Sequence, residues 1–308
     1  MIKVLTMPKF NYHLSDVHYL MLKDRVRTLS YKNAIEKFLK SDGVVVDLGS
    51  GTGILSFFAA KKSKKVYSVE ITDLIELAKK TALINGLENI EFVKSDIFDV
   101  KLEEKVDILI HEQIGDYLWD EDLIAKISHF KKYLKQDGKI LPGTIKLYAV
   151  AVNYLTHTEE MMEFWSSKPY GIDFSPLKSL TFKQGIKNYL LPQKVKLKNS
   201  ENYLTEPKII YTLNLSEANG LPVDIGTEFF LKKGKVTGIL LFMKIEFSKN
   251  LYFYTNHYNK NNEITHWNQI FIPMFEPKIL KKDTIMEFVL YPDVNPKNWK
   301  WKFSFKDI

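Results

Sequence analysis

Two glutamates, Glu112 and Glu121, stand in the stretch VDILIHEQIGDYLWDEDLIA, residues 106–125. Glu112 ends an apolar run, Ile108-Leu109-Ile110, that reads as a buried strand, and Glu121 lies in the acidic cluster Asp120-Glu121-Asp122. A carboxylate fixed at a strand end, with a second one close behind it, is an arrangement for gripping a cation or moving a proton. Each also has a plainer reading. Glu112 could be satisfied by a helix N-terminus, and an acidic run before Leu-Ile-Ala-Lys-Ile suits a helix start.

A second group of residues could hold a nucleotide-like ligand. In VVVDLGSGTG, Gly49, Gly51 and Gly53 follow a strand and open a helix, so the backbone can approach a ligand closely. The spacing is not that of a dinucleotide fingerprint, because position 54 is Ile and the third glycine falls one place early. Asp47, just before the glycines, could organise the turn. Glu70 ends the next strand, VYSVE, where an acidic residue clamps a ribose hydroxyl in doubly wound nucleotide folds. Asp96 ends IEFVKSD, where its carboxylate, or the backbone N–H of Ile97, could meet an adenine edge; a capping aspartate is the plainer reading. Of 44 basic residues only Arg25 and Arg27 are arginine, and both fall in MLKDRVRTL. Arginine supplies a bidentate fork that lysine cannot, which marks this stretch as a carboxylate-binding element.

The elements that must position these groups follow from the hydrophobic period. Residues 15–40 read as helix, with Ser15 a possible cap. Short strands then alternate with helices: VVV, the glycine turn and ILSFFAAKK, then VYSVE, LIELAKKTALINGL, IEFVKSD and VDILIHE. That alternation predicts an α/β, doubly wound parallel sheet with helices on both faces. From about residue 145 the texture changes to short alternating strands separated by Gly, Pro and Asn, which reads as a β-barrel or sandwich. No flexible linker separates the halves, so they are expected to pack together.

Composition excludes other classes. The 308 residues are 45% hydrophobic, with no run long enough to span a membrane and no signal-like N-terminus, so a cytoplasmic protein without membrane contact is expected. Zero cysteines remove disulfides, thiol catalysis and thiolate metal sites, and the seven histidines show no ligand spacing, so no metal is expected. The net charge of +7 comes from dispersed lysines, which read as a solvated surface and not as a nucleic-acid site. No Asn/Asp-Pro-Pro-aromatic motif, which would suit a nucleic-acid base, follows the fourth strand.

Taken in order, MLKDRVRTLSY, VVVDLGSGTGILSFFAAK, VYSVE, HEQIGDYLWDE and Thr265-His266-Trp267, followed by a β-rich half, resemble the protein arginine methyltransferase family from about residue 12 to 306. The resemblance implies a Rossmann-like methyltransferase domain binding S-adenosyl-L-methionine (41–144), an N-terminal helical segment covering the cofactor (1–40) and a β-barrel substrate domain (145–308). It further implies a helical dimerisation arm at about 157–180, in MEFWSSKPYGIDFSPLK, and a homodimer. Arg27 would grip the methionyl carboxylate, Met21 would lie near the sulfonium and substrate, and Glu70 would hold the ribose. Glu112 and Glu121 match the family's paired glutamates, Asp24 and His266 an acid–imidazole pair, and Trp267 the aromatic beside them; Tyr12 is the surviving N-terminal aromatic. The loop departs from the family's Glu-Trp-Met-Gly-Tyr pattern at Gln113, Ile114 and Asp116, which bears on substrate choice.

A guanidinium has a pKa above ~12 and delocalised lone pairs, so it is a poor nucleophile. Held by Glu112 and Glu121, its charge would be drawn toward the gripped nitrogens, leaving the remaining one to attack in line. The proton could leave to Glu121, or to His266 with Asp24 behind it. The expected activity is therefore methyl transfer to arginine in a protein or peptide. A small guanidine or amine substrate, and a catalytically silent dimeric binding module, remain as alternatives.

Overall fold

A computed structural model describes residues 12–185 and 191–308, and the Tyr12 side chain lies outside what is described. Five strands, β1 (Val44–Leu48), β2 (Lys65–Glu70), β3 (Ile90–Lys94), β4 (Val106–His111) and β5 (Leu134–Leu141), form a sheet of order β3-β2-β1-β4-β5 with every pairing parallel. The central β1 is buried at all five positions, which explains its unbroken Val-Val-Val run. Helices α3 (Ile54–Ala60), α4 (Leu74–Ile84) and α5 (Leu123–Phe130) connect the strands. Strand order reverses between β1 and β4, and the carboxyl ends of strands at such a switch point form the binding crevice of open α/β sheets. Leu48 pairs with His111 across this point, so the glycine turn and Glu112 leave the sheet side by side.

The helical segment expected over 15–40 is two helices, α1 (Tyr12–Lys23) and α2 (Arg25–Phe38), and Ser15 falls inside the first instead of capping it. The break is at Asp24, whose extended ψ of 92° and side-chain bond from the Arg27 N–H make it the N-cap of α2. Apolar period alone runs through this position; capping chemistry interrupts it.

The second half is antiparallel. A six-stranded sheet runs β7 (Gln193–Val195), β12 (Gln269–Leu280), β10 (Gly234–Ser248), β6 (Thr144–Val152) and β8 (Lys208–Asn214), with β11 (Leu251–Tyr254) added to β10. A three-stranded sheet holds β9 (Ile225–Leu231), β13 (Thr284–Tyr291) and β14 (Lys300–Asp307). Between β6 and β7 the chain forms α6 (His157–Ser166), which starts with a Thr156/Glu159 capping box, and α7 (Ser175–Gly185). One continuous apolar core, from Val45 and Leu109 through Tyr31, Trp119 and Ile145 to Phe253, Trp267 and Trp299, runs from the parallel sheet into the antiparallel ones. The two halves therefore share their interior, and the site between them is held from both sides.

Candidate active site

The glycine turn is shaped by its backbone. Gly49, Gly51 and Gly53 all have positive φ (68°, 53° and 84°), a region that costs most side chains and that glycine occupies freely. Glu70 fastens the turn: one carboxylate oxygen accepts the Gly51 N–H at 2.9 Å and the other the Thr72 N–H at 2.8 Å. Asp47 works from behind, accepting from the Ser56 hydroxyl on α3 at 2.6 Å; its near-complete burial pushes its carboxyl up to about 6. Asp96 serves as a cap. Its side chain accepts from the Phe98 N–H and caps a one-turn 3-10 helix, and neither it nor buried Ile97 lines the cavities described below.

Arg27 and Glu112 meet. Arg27 Nε donates to Glu112 Oε1 at 2.9 Å, with both side chains almost wholly buried, and the guanidinium lies 5.7 Å from the centroid of the Tyr31 ring. Burial alone would lower the Arg27 pKa; Glu112 outweighs it and leaves it raised. Tyr31 in turn donates its hydroxyl to the His111 carbonyl at 2.9 Å, fixing the strand end that carries Glu112. Three residues earlier, Asp24 joins the two halves of the chain: its Oδ1 accepts the Arg27 N–H, and its Oδ2 accepts the His266 backbone N–H at 2.7 Å and faces His266 Nδ1 at 2.9 Å. Burial raises the Asp24 carboxyl, but the bonds from His266 and Arg27 together hold it below its ordinary value.

The segment from Glu112 to Glu121 is an irregular loop. Leu118 (φ 70°) and Asp122 (φ 52°) hold left-handed conformations near Glu121, the kind of strain that surrounding structure must impose. Gly115 lets the loop close on Asp120: a Cβ there would lie 1.6 Å from its carboxylate oxygen and would displace that side chain. The barrel grips the same loop. Trp267 Nε1 donates to the Ile114 carbonyl at 2.6 Å, and Asp116 accepts both the Asn268 N–H (2.7 Å) and its side-chain amide (3.0 Å) while pairing with Lys194 at 2.8 Å. Among the described residues Glu121 makes no hydrogen bond or ion pair: surrounding protein first, then the charges of Glu112 and Asp120, push its carboxyl up to about 7.

These groups surround a cavity of about 660 Å³ lined by Met21, Gly49, Glu112, Gln113, Ile114, Asp116, Asp120, Glu121, Lys194, His266, Trp267 and Asn268, with His18 at one side. A narrower cleft of about 30 Å³ continues past His18, Met21 and Arg27 to Asp47, Gly49 and Gly51. The structure thus brings together Met21, Glu112, Glu121, His266 and Trp267, with Asp24 and Arg27 directly behind. His18 was missed by the reading of the sequence. It packs on the turn, so that a Cβ on Gly51 would lie 2.9 Å from its imidazole, and burial first among its causes lowers its pKa. Its place one helical turn before Met21 was the available signal. Lys194, Lys196 and Asn268 were missed as well.

Residues 39–201 match the family described as a methyltransferase domain, and residues 144–306 the arginine methyltransferase oligomerization subdomain. Protein arginine N-methyltransferase 1 of Caenorhabditis elegans is 30% identical over 278 residues, which is 86% of this chain and 77% of that protein. Protein arginine N-methyltransferase 1.1 of Arabidopsis thaliana is 30% identical over 271 residues, 84% of this chain, and the match spans 66% of that relative's length. Among solved structures, protein arginine methyltransferase 10 of Arabidopsis thaliana, in an open conformation, aligns with a TM-score of 0.78 at 22% identity, covering 97% of this chain and 94% of its own. The Trypanosoma brucei PRMT1 enzyme–prozyme heterotetrameric complex with AdoHcy gives 0.77 at 24% identity, with 95% and 93% covered. These two likenesses show the fold.

Proposed function

Because the chain belongs to the protein arginine methyltransferase family, we propose that it transfers a methyl group from S-adenosyl-L-methionine to a guanidine nitrogen of arginine in a protein or peptide. The observation that carries this reading is the single cavity in which Glu112 and Glu121 face His266 and Trp267, opening onto the glycine turn and the buried Arg27.

The donor set fits the cofactor. Arg27 offers a guanidinium fork to a carboxylate, the turn carries no side chain at 49, 51 and 53, and Glu70 stands at the end of β2 for ribose hydroxyls. The cleft is narrow because His18 rests against Gly51, so entry of the cofactor requires the His18 side chain to move. When bound, the sulfonium supplies the electrophilic methyl group. The chain's own residues do the rest. Glu112 and Glu121 hold the substrate guanidinium and set one nitrogen in line. Met21 and Trp267 bound the space around it. Glu121, whose proton affinity lies near neutrality, or His266 on Asp24, accepts the proton.

The same reading gives a homodimer. The α6–α7 excursion carries Phe164, Trp165 and Phe174 in ring contact, with Phe164, Tyr170, Ile172 and Leu180 exposed, an apolar surface that a second copy would cover.

The test is methyl transfer from labelled cofactor to an arginine-containing peptide and to free arginine, with wild type and Glu112→Gln side by side. Wild type labels the peptide, and Glu112→Gln loses about 10² to 10³ in turnover, because an amide N–H then faces guanidinium N–H groups. Label on free arginine alone would move the substrate to a small guanidine, and cofactor binding without any transfer would leave a silent binding module.

A further inference from the structure

Strand β7 is a three-residue edge strand that among the described residues pairs only with β12, through Gln269↔Val195, Ile270↔Lys194 and Phe271↔Gln193. Its path is prolonged by Gln269, whose buried side-chain amide exchanges two hydrogen bonds with the backbone of Leu197, at 3.1 and 3.2 Å. Residues 194 and 196 share a face by strand alternation, and both are lysines. Each reaches a different wall of the site. Lys194 Nζ pairs at 2.8 Å with Asp116 on the loop between the two glutamates. Lys196 Nζ donates to three consecutive carbonyls, those of Thr265 at 2.7 Å, His266 at 2.9 Å and Trp267.

We propose that Lys194 and Lys196 are positioning residues of the reaction, with β7 holding the loop of Glu112 and Glu121 and the loop of His266 and Trp267 at a fixed separation. Three carbonyls of successive residues that converge on one point repel one another unless donors stand between them, and here the donors are those of Lys196. An ammonium has three donors and no acceptor, which matches three acceptors completely. Among the described residues no carboxylate forms an ion pair with Lys196, so its work is on the backbone. With these carbonyls fixed, the backbone N–H and imidazole of His266 meet Asp24, and the indole of Trp267 meets the Ile114 carbonyl. Burial lowers the Lys196 pKa, and Asp116 and Asp24 act against that, as expected for a cation that must stay charged in a partly enclosed place. Without the clamp the catalytic loops would drift while the glycine turn and Arg27 stayed in place.

This inference rests on the methyltransferase reading. The experiment is steady-state methylation of an arginine-containing peptide by wild type, Lys196→Ala and Lys196→Met, with cofactor affinity measured by calorimetry on the same preparations. Expected is a loss of about ten- to hundredfold in kcat for both variants, with cofactor Kd within about twofold of wild type. Millimolar propylammonium should restore part of the kcat of Lys196→Ala, and propanol none. The Met variant, whose stem still fills the space, should not respond. Wild-type kcat in the variants, or equal rescue by propanol, would overturn the clamp. An inactive wild type would instead overturn the functional reading on which it rests.

Discussion

Arg27 Nε lies 2.9 Å from Glu112 Oε1, so the group expected to hold the cofactor's carboxylate and one of the two expected to hold the substrate's guanidinium are partners of each other. Glu112 already faces a guanidinium, the chemistry assigned to it. The pair is shielded from water and supported by Tyr31, which lies beside the Arg27 guanidinium and bonds the His111 carbonyl. In so dry a site, breaking one partner costs more than the pair contributes, because the remaining charge is stranded. Under the proposed function, cofactor and substrate binding are joined through this one ion pair.

Arg27→Lys follows from this geometry. The charge is kept, but a single ammonium cannot serve Glu112 and a ligand carboxylate with a planar fork. Affinity for S-adenosylhomocysteine, measured by calorimetry, should fall about tenfold or more. Unchanged affinity would show that Arg27 serves Glu112 alone.

Much of this was legible in the sequence because the signals were local. The change of period around Val44, the glycines at 49, 51 and 53, and carboxylates at the ends of β2 and β4 required no knowledge of distant partners. What stayed hidden depends on contacts far apart in the chain. The helix break at Asp24 depends on a cap and on a partner at His266, and nothing in the apolar spacing of 15–40 announces it. Lys194 and Lys196 were concealed by composition, since lysine supplies all but two of the 44 basic residues and a functional one looks like any other. The capping role of Asp96 was legible in the sequence, and the bond from Phe98 N–H bears it out.

Glu121 predicts a pH dependence. Its carboxyl is raised from 4.5 to about 7, by loss of solvent first and then by Glu112 and Asp120, so the fold disfavours its charged form. Stability is therefore unaffected below 4.5 and declines as pH rises from there to about 7, where the folded state keeps a proton that the unfolded chain has released. For catalysis the sign is opposite. A charged Glu121 grips the guanidinium, so kcat/KM should climb through about pH 7. Asp120→Asn removes one neighbouring charge and should raise kcat/KM at pH 6 roughly two- to threefold, with little change at pH 9. A profile that stays flat from pH 6 to 8 would show that Glu121 does not titrate in the free enzyme.

The helical excursion gives a prediction about assembly. Tyr170 is 94% exposed between α6 and α7 and holds a left-handed φ of 57°, an unusual place for a large aromatic side chain unless something covers it. Light scattering should report twice the chain mass for wild type. Tyr170→Asp, which places a charge in the apolar surface, should weaken association at least tenfold without lowering the melting temperature of the monomer. A monomeric wild type at micromolar concentration would end the arm assignment.

Asp24 allows its two duties to be separated. Asparagine caps a helix about as well as aspartate, so Asp24→Asn can keep the bond from the Arg27 N–H. It then turns an amide N–H toward the His266 backbone N–H, where Oδ2 had accepted. The expected outcome is about 1 kcal/mol of lost stability in urea unfolding and a clear drop in turnover. Asp24→Ala loses the cap as well, for about 1 kcal/mol more. Because the native carboxyl is held below its ordinary 3.8, its contribution is present above that pH and is lost as the pH falls beneath it, so wild type and Asp24→Ala should converge in acid. Combining Asp24→Asn with His266→Ala isolates the imidazole's part of the contact between the halves. If the latch is what turnover needs, the second substitution adds little to the first, and full additivity of the two losses would show that Asp24 and His266 act independently.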